Sequence, residues 1–283
     1  MLAAATEYLS LMRPVNSAMV GFAVIVGVVV ASPPSLLSLG AAQGFLTGFL
    51  VASYSMVIND YYDVEVDRVN NPRRPLPAGR LSLRAALTFA LSLLAVGLVS
   101  AVVSWENFTV AAFFAWVAWS YSRWGKKRGL LGNMMVASSL AIPYIYGAAA
   151  VGASREPLVW FLAATSFLAG TGREIVKTVP DVEGDQLRGI RSVAKIFGPV
   201  AACRLGAAFY FAAVLSALLP ILIMVVGTVY VLLVLIPDAI FLYASYRLLR
   251  DSSPQNAIYI KRLSLLGMFT GLIAFILGGY YRG

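Results

Sequence analysis

The sequence predicts an all-α, polytopic membrane protein with about nine transmembrane helices in a single domain, residues 1–283. Three observations predict it. Of the 283 residues, 60% are hydrophobic and 12% charged, with a mean hydropathy of +0.80. Soluble domains run at roughly 45–50% apolar and about 25% charged. Apolar stretches recur at the length that crosses a hydrocarbon core, about 20 residues at 1.5 Å each. Lys and Arg gather on one side of the alternating spans.

Taken in order, segments near 14–31, 37–58, 83–104, 131–152, 157–178, 198–219, 222–247 and 258–280 meet the length requirement. Asn107 to Tyr121 is shorter and aromatic-rich (Phe113, Phe114, Trp116, Trp119). It counts as a span if its ends dip into the interface. The first stretch follows Arg13-Pro14 and precedes eight others, which predicts a retained helix rather than a cleaved leader. Alternating the nine spans puts 20 of the 22 Lys and Arg on one face, leaving Arg155 and Arg282 on the other. The positive-inside rule then places the N-terminus and the long loops in the cytoplasm and the C-terminus outside, in a multi-pass cell-membrane protein.

Composition narrows the chemistry. The chain has no histidine and one cysteine, Cys203. Zinc, copper and iron–sulfur centres lack their usual ligands, as do Ser-His and Cys-His nucleophile pairs. A metal here is held by oxygen, which points to Mg²⁺, Mn²⁺ or Ca²⁺. The net charge of +9 follows from topology and does not call for nucleic acid.

The acids, unlike the bases, are not explained by topology. Eight of thirteen lie in two cytoplasmic groups: Asp60, Asp63, Glu65 and Asp67, and then Glu174, Asp181, Glu183 and Asp185. Asn59, Asp63 and Asp67 are each four apart, so a continuing helix stacks them on one face. Asp60, next in the chain, points off that face. Asp181 and Asp185 repeat the four-residue spacing, 118 residues after Asp63 and Asp67. Like charges so spaced repel, and divalent cations between them remove the cost. Mg²⁺ keeps waters and takes further oxygens from phosphates, so paired acidic groups suggest a diphosphate held through bridging metals.

Bases accompany these acids. Arg73, Arg74 and Arg80 follow the first group, and Arg173 and Lys177 precede the second. Tyr121, Lys126, Lys127 and Arg128 lie in the loop between the fourth and fifth spans. The same bases also satisfy the positive-inside rule. Gly21, Gly27, Gly147 and Gly170 allow close helix contacts.

These residues resemble the UbiA superfamily of intramembrane prenyltransferases. Its pattern N-D-x-x-D-x-x-x-D stands as Asn59 to Asp67, the trailing N-x-P-x-R-P-[IL]-P-x-G as Asn70 to Gly79, and D-x-x-x-D as Asp181 to Asp185, followed by Gly189 to Ala194. Arg13-Pro14-Val15-Asn16 and Gly132-Asn133 extend the likeness over essentially the whole chain. Within the superfamily, Arg13 to Asn16 and Arg173-Glu174-Ile175-Val176-Lys177 look most like the archaeal enzymes that add a second geranylgeranyl chain to geranylgeranylglyceryl phosphate. The chain departs from relatives at Thr178, where a carboxylate is frequent, and at Pro180.

The resemblance implies Mg²⁺-dependent transfer of a prenyl group, in a cavity among the helices, from its diphosphate to a lipid-phosphate acceptor, in membrane ether-lipid biosynthesis. Asn59, Asp63 and Asp67 hold one Mg²⁺ in that picture, and Asp181 and Asp185 a second, with Asp60 able to help either shell. Lys126, Arg73 and Lys177 take up charge on the leaving diphosphate. Tyr54, Tyr61, Tyr62 and Tyr121 either shelter the allylic cation or belong to the interfacial aromatic belt. Arg13 with Asn16 either binds the acceptor phosphate or marks the membrane edge. No feature calls for an obligate protein partner.

Two other readings stand beside this one. An aromatic (4-hydroxybenzoate-type) polyprenyltransferase of quinone biosynthesis shares every metal-binding residue. An ion-coupled transporter uses intramembrane acids, and Asp238 is such an acid. Its pairing and orientation discriminate.

Overall fold

The computed structural model describes residues 2–182, 185 and 189–281, with side chains from residue 5 onward. Those residues form ten long or medium helices: α1 (Leu2–Met12), α2 (Pro14–Ala31), α3 (Leu39–Asn70), α4 (Leu83–Ser100), α5 (Trp105–Arg123), α6 (Leu130–Ala150), α7 (Pro157–Lys177), α8 (Val193–Leu222), α9 (Thr228–Arg250) and α10 (Pro254–Tyr280). Glu183 and Arg282, named above, lie outside the described residues.

The sequence marks where these helices begin. Ser38, Ser82, Ser104, Ser192 and Ser253 each accept a backbone N–H from the first turn of α3, α4, α5, α8 and α10. Such caps satisfy donors that no intrahelical carbonyl reaches. Pro14, Pro157 and Pro254 occupy first-turn positions, where the missing N–H costs nothing.

Seven of the helices are long and apolar enough to cross a membrane: α2, α3, α4, α6, α8, α9 and α10. The other two long ones, α5 and α7, fall short because of their ends. α5 opens on Trp105-Glu106-Asn107, and α7 closes with Arg173, Glu174 and Lys177. The outer surface is lipid-like, with Phe22, Leu37, Val99 and Leu232 all more than 60% exposed. Against hydrocarbon this exposure carries no penalty.

The bundle closes on itself. α3 packs on α2, α4 and α5, α6 joins α2 to α7, α8 lies against α7 and α9, and α10 pairs with α9 and returns to α2. The expected close contacts fall at three crossings, the first being α2–α3, where a Cβ on Gly21 would press on the Phe45 ring. A Cβ on Gly27 would strike the Tyr144 backbone and one on Gly147 the Val24 carbonyl, so α2 and α6 touch backbone to backbone. A Cβ on Gly170 would press on Leu140 and Ala137, at the α6–α7 crossing.

Two boundaries differ from expectation, and both bear on the site. The second span does not end near residue 58: α3 runs 32 residues to Asn70. At 1.5 Å per residue it is about 48 Å long, against about 30 Å of hydrocarbon, so its C-terminal turns project past the membrane. Tyr121 is not in a loop either, because α5 continues to Arg123. In both cases no Gly or Pro intervenes to end the helix.

Candidate active site

The projecting end of α3 carries the first acidic group. At about 100° per residue, Asn59, Asp63 and Asp67 fan over roughly 80°, and Asp60 falls only about 20° beyond Asp67, since seven residues nearly complete two turns. Asp60 therefore does not point off the face. It is buried with Asp67, each 4% exposed. Arg74 serves both, its Nη1 donating to Asp67 Oδ2 at 2.6 Å and to Asp60 Oδ1 at 3.3 Å. Asp60 Oδ1 also accepts from Arg13 Nη2 at 2.5 Å, and Asp67 Oδ1 from Asn71 Nδ2 at 2.9 Å. Asp63 is ion-paired with Lys126, which arrives on the short 3₁₀ turn Gly125–Lys127. Buried carboxylates are tolerable only when so compensated.

The proline-rich stretch folds back to deliver Arg74. The Ala78 N–H donates to the Arg74 carbonyl, and Gly79, at φ +70°, turns the chain. Arg80 then donates to Glu7 at 2.7 Å and to the Arg73 carbonyl, leaving the Arg73 side chain at the exposed surface. Arg13 caps α2 in the left-handed region (φ 47°), a costly conformation for arginine. Asn16, one turn on, is exposed.

The second acidic group follows α7. The Asp185 N–H donates to the Asp181 carbonyl at 2.8 Å, so the two acids stand one helical turn apart as their spacing predicts. Asp181 is exposed and Asp185 buried. A short relay of backbone bonds ties this group to the basic loop. The Ile190 N–H donates to the Asp185 carbonyl at 2.9 Å, and the Arg191 N–H to the Lys127 carbonyl at 3.2 Å. Gly129 permits that last approach, because a Cβ there would meet the Arg191 carbonyl. Lys126 thus faces Asp63 while its neighbour Lys127 is stitched to the second group.

Between the groups lies a cavity of about 330 Å³. Asn59, Tyr121, Ser139, Glu174 and Lys177 are among its polar lining residues, and Met56, Phe114 and Met135 among its apolar ones. Glu174 is 8% exposed and accepts from Arg173 Nη1 and Lys177 Nζ, both at 2.9 Å. Sequence reasoning counted it among the second acids without giving it a role. Its three-residue spacing from Lys177 on the helix, rather than in the loop, was the available signal. Of the four tyrosines, Tyr121 alone lines this cavity. Tyr54 is buried in the core beside it, and Tyr62 accepts from Trp119 Nε1 at 3.2 Å.

A second cavity, of about 190 Å³, lies among the C-terminal helices and contains Thr165, Ser166, Pro237 and Asp238. Asp238 is buried, and its Oδ2 has no hydrogen-bond partner among the described residues. It faces inward but pairs with no cation there. The remaining acids of interest stand at one end of the bundle, an arrangement that does not serve alternating access.

The donor set is entirely hard oxygen. Among the described residues no three carboxylates come together as a metal-binding group, so a metal here would need oxygens beyond those of the carboxylates. That fits Mg²⁺, which completes its six positions with water and phosphate.

Residues 20–273 match the model of the UbiA prenyltransferase family. The chain is 33% identical over 280 residues to the digeranylgeranylglyceryl phosphate synthase of Thermococcus sibiricus, covering 98% of each chain. It is 37% identical to that of Methanopyrus kandleri, covering 95% of this chain and 97% of the other. A solved structure concerned with digeranylgeranylglyceryl phosphate synthase in membranes superposes with a TM-score of 0.92 at 30% identity, over 98% of this chain and 99% of that one. The UbiA homologue of Archaeoglobus fulgidus bound to DMAPP and Mg²⁺ shares the fold at 20% identity, with a TM-score of 0.70 over 95% and 99% of the two chains.

Proposed function

The chain belongs to the UbiA prenyltransferase family, and from that premise we propose that it transfers a geranylgeranyl group from its diphosphate to the free hydroxyl of geranylgeranylglyceryl phosphate, in archaeal ether-lipid synthesis. The observation that carries this reading is the pairing of two oxygen-donor groups at one end of the bundle, joined through the Lys126-Lys127 turn, beside a cavity lined by both polar and apolar side chains. The named relatives point to the same donor and acceptor.

In this reading nine spans cross the membrane, α5 and α7 included, with the N-terminus and the acidic groups cytoplasmic and the C-terminus outside. Asn59, Asp63 and Asp67 hold one Mg²⁺ and Asp181 and Asp185 another. When bound, the ions neutralise the diphosphate and make it a better leaving group. Lys126 and Lys177, with Arg173 beside them, offer cationic donors to the oxygens on which charge develops. Asp60 is a positioning residue, because it fixes Arg13 and Arg74 rather than facing the cavity. Arg13, with Asn16, receives the acceptor phosphate by exchanging its bond to Asp60. Arg73 and Lys127 stand exposed at the rim and draw anionic head groups toward it. Tyr121 offers a π face within the cavity.

A transfer assay tests the reading. Purified protein, Mg²⁺ and radiolabelled geranylgeranyl diphosphate are offered geranylgeranylglyceryl phosphate and 4-hydroxybenzoate in parallel. The expected product is the diether phosphate; product with hydroxybenzoate alone overturns the assignment, as does full activity in excess EDTA.

A further inference from the structure

Ether formation releases a proton from the acceptor hydroxyl, and the aspartates of the two acidic groups are poorly placed to take it. None of Asp60, Asp63, Asp67, Asp181 and Asp185 lines the cavity. Among the cavity's described residues the polar side chains are serines, Asn59, Tyr121, Glu174 and Lys177. Ser55, Ser122 and Ser139 donate to carbonyls of their own helices and, like Asn59, are feeble bases. Lys177, ion-paired with Glu174, is charged and has no lone pair. Glu174 is the one anionic group there.

We propose that Glu174 is the general base of the transfer. This rests on the reaction proposed above. The bond from C1 of the prenyl chain to the diphosphate oxygen breaks, and its electron pair leaves with the diphosphate. A lone pair of the acceptor hydroxyl forms the new C–O bond, and the hydroxyl proton passes to the Glu174 carboxylate. Attack on an allylic cation makes that proton strongly acidic, so an ordinary carboxylate suffices as acceptor. Arg173 and Lys177 take one bond each from its two oxygens, and a carboxylate offers about four acceptor sites, so lone pairs remain for the hydroxyl. The two cations also hold the carboxylate in one rotamer at the wall. As a helix support alone the arrangement is a poor investment, since a half-exposed Lys177 contributes little to stability.

The test compares Glu174→Gln with the wild-type protein, full length and in Mg²⁺. Three quantities are read: transfer to geranylgeranylglyceryl phosphate, hydrolysis of geranylgeranyl diphosphate without acceptor, and binding of geranylgeranyl diphosphate. Loss of a general base lowers transfer about 10²- to 10⁴-fold, while hydrolysis, where bulk water takes the proton, and donor binding change by no more than about threefold. Transfer that stays within threefold overturns the proposal. So does an equal fall in all three quantities, which makes Glu174 a positioning residue for Lys177. If Glu174→Gln does not fold, Glu174→Asp gives the same division: reduced transfer with intact hydrolysis supports the base, parallel loss overturns it. A wild-type protein that makes no diether overturns the reaction itself, independently of Glu174.

Discussion

The two acidic groups share a four-residue spacing and differ in the helices and loops that carry them. The first stands on an unbroken helix, with Asp60, Asp63 and Asp67 each matched to a cation from another part of the chain. The second lies past the end of α7, beyond Thr178 and Pro180, with Asp181 exposed and Asp185 buried. The first group is thus part of the fold's framework as well as its chemistry. The second is attached by backbone bonds to a loop. Equal spacing in sequence does not imply equal structural weight.

That contrast is broken most directly by chemistry, where the groups should count equally. Asp63→Ala and Asp181→Ala are each expected to lower transfer by at least about 10²–10³-fold, the scale of losing a preorganised electrostatic group, and excess EDTA should do the same to the wild type. Initial rates with labelled donor measure this, and full activity of either variant would show one group to be dispensable. Lys126→Ala comes next, with a loss of about 10²-fold in kcat as charge on the leaving group goes unmet.

Stability separates the groups. Arg74→Ala leaves two buried carboxylates short of a partner and should cost about 1–3 kcal/mol, the lower end being favoured because Arg74 is one-third exposed. Asp181→Ala, at an exposed position, should stay within about 0.5 kcal/mol. Thermal unfolding in one detergent compares them, and equal shifts would erase the distinction. The smallest effect is expected at Asn16, which is exposed: Asn16→Ala should raise the acceptor KM by no more than about threefold, less than Arg13→Ala.

Much of this was legible beforehand because membrane solvation makes apolar length and charge placement strong signals. The i,i+4 spacing of Asn59, Asp63 and Asp67 foretold their shared face. Asp60 was misread because adjacent residues diverge on a helix, while the seven-residue return that sets it beside Asp67 is easily overlooked. Asp60's partners, Arg13 and Arg74, come from 47 and 14 residues away, a matter of tertiary closure that local pattern does not encode. Glu174 escaped notice for the opposite reason. It looked like one more acid of a loop, and only the register of α7 against the cavity distinguishes it.

The length of α3 has a consequence for substrate choice. From Asn59, at the cavity, back to Leu39, where the helix begins, there are twenty residues, or about 30 Å of rise, which is the depth of the hydrocarbon itself. A prenyl chain anchored by its head at the cavity therefore has a fixed ruler beside it. A tail shorter than that depth lies wholly within reach of protein side chains. A longer one must bend or leave sideways into lipid, where it meets no wall that can measure it.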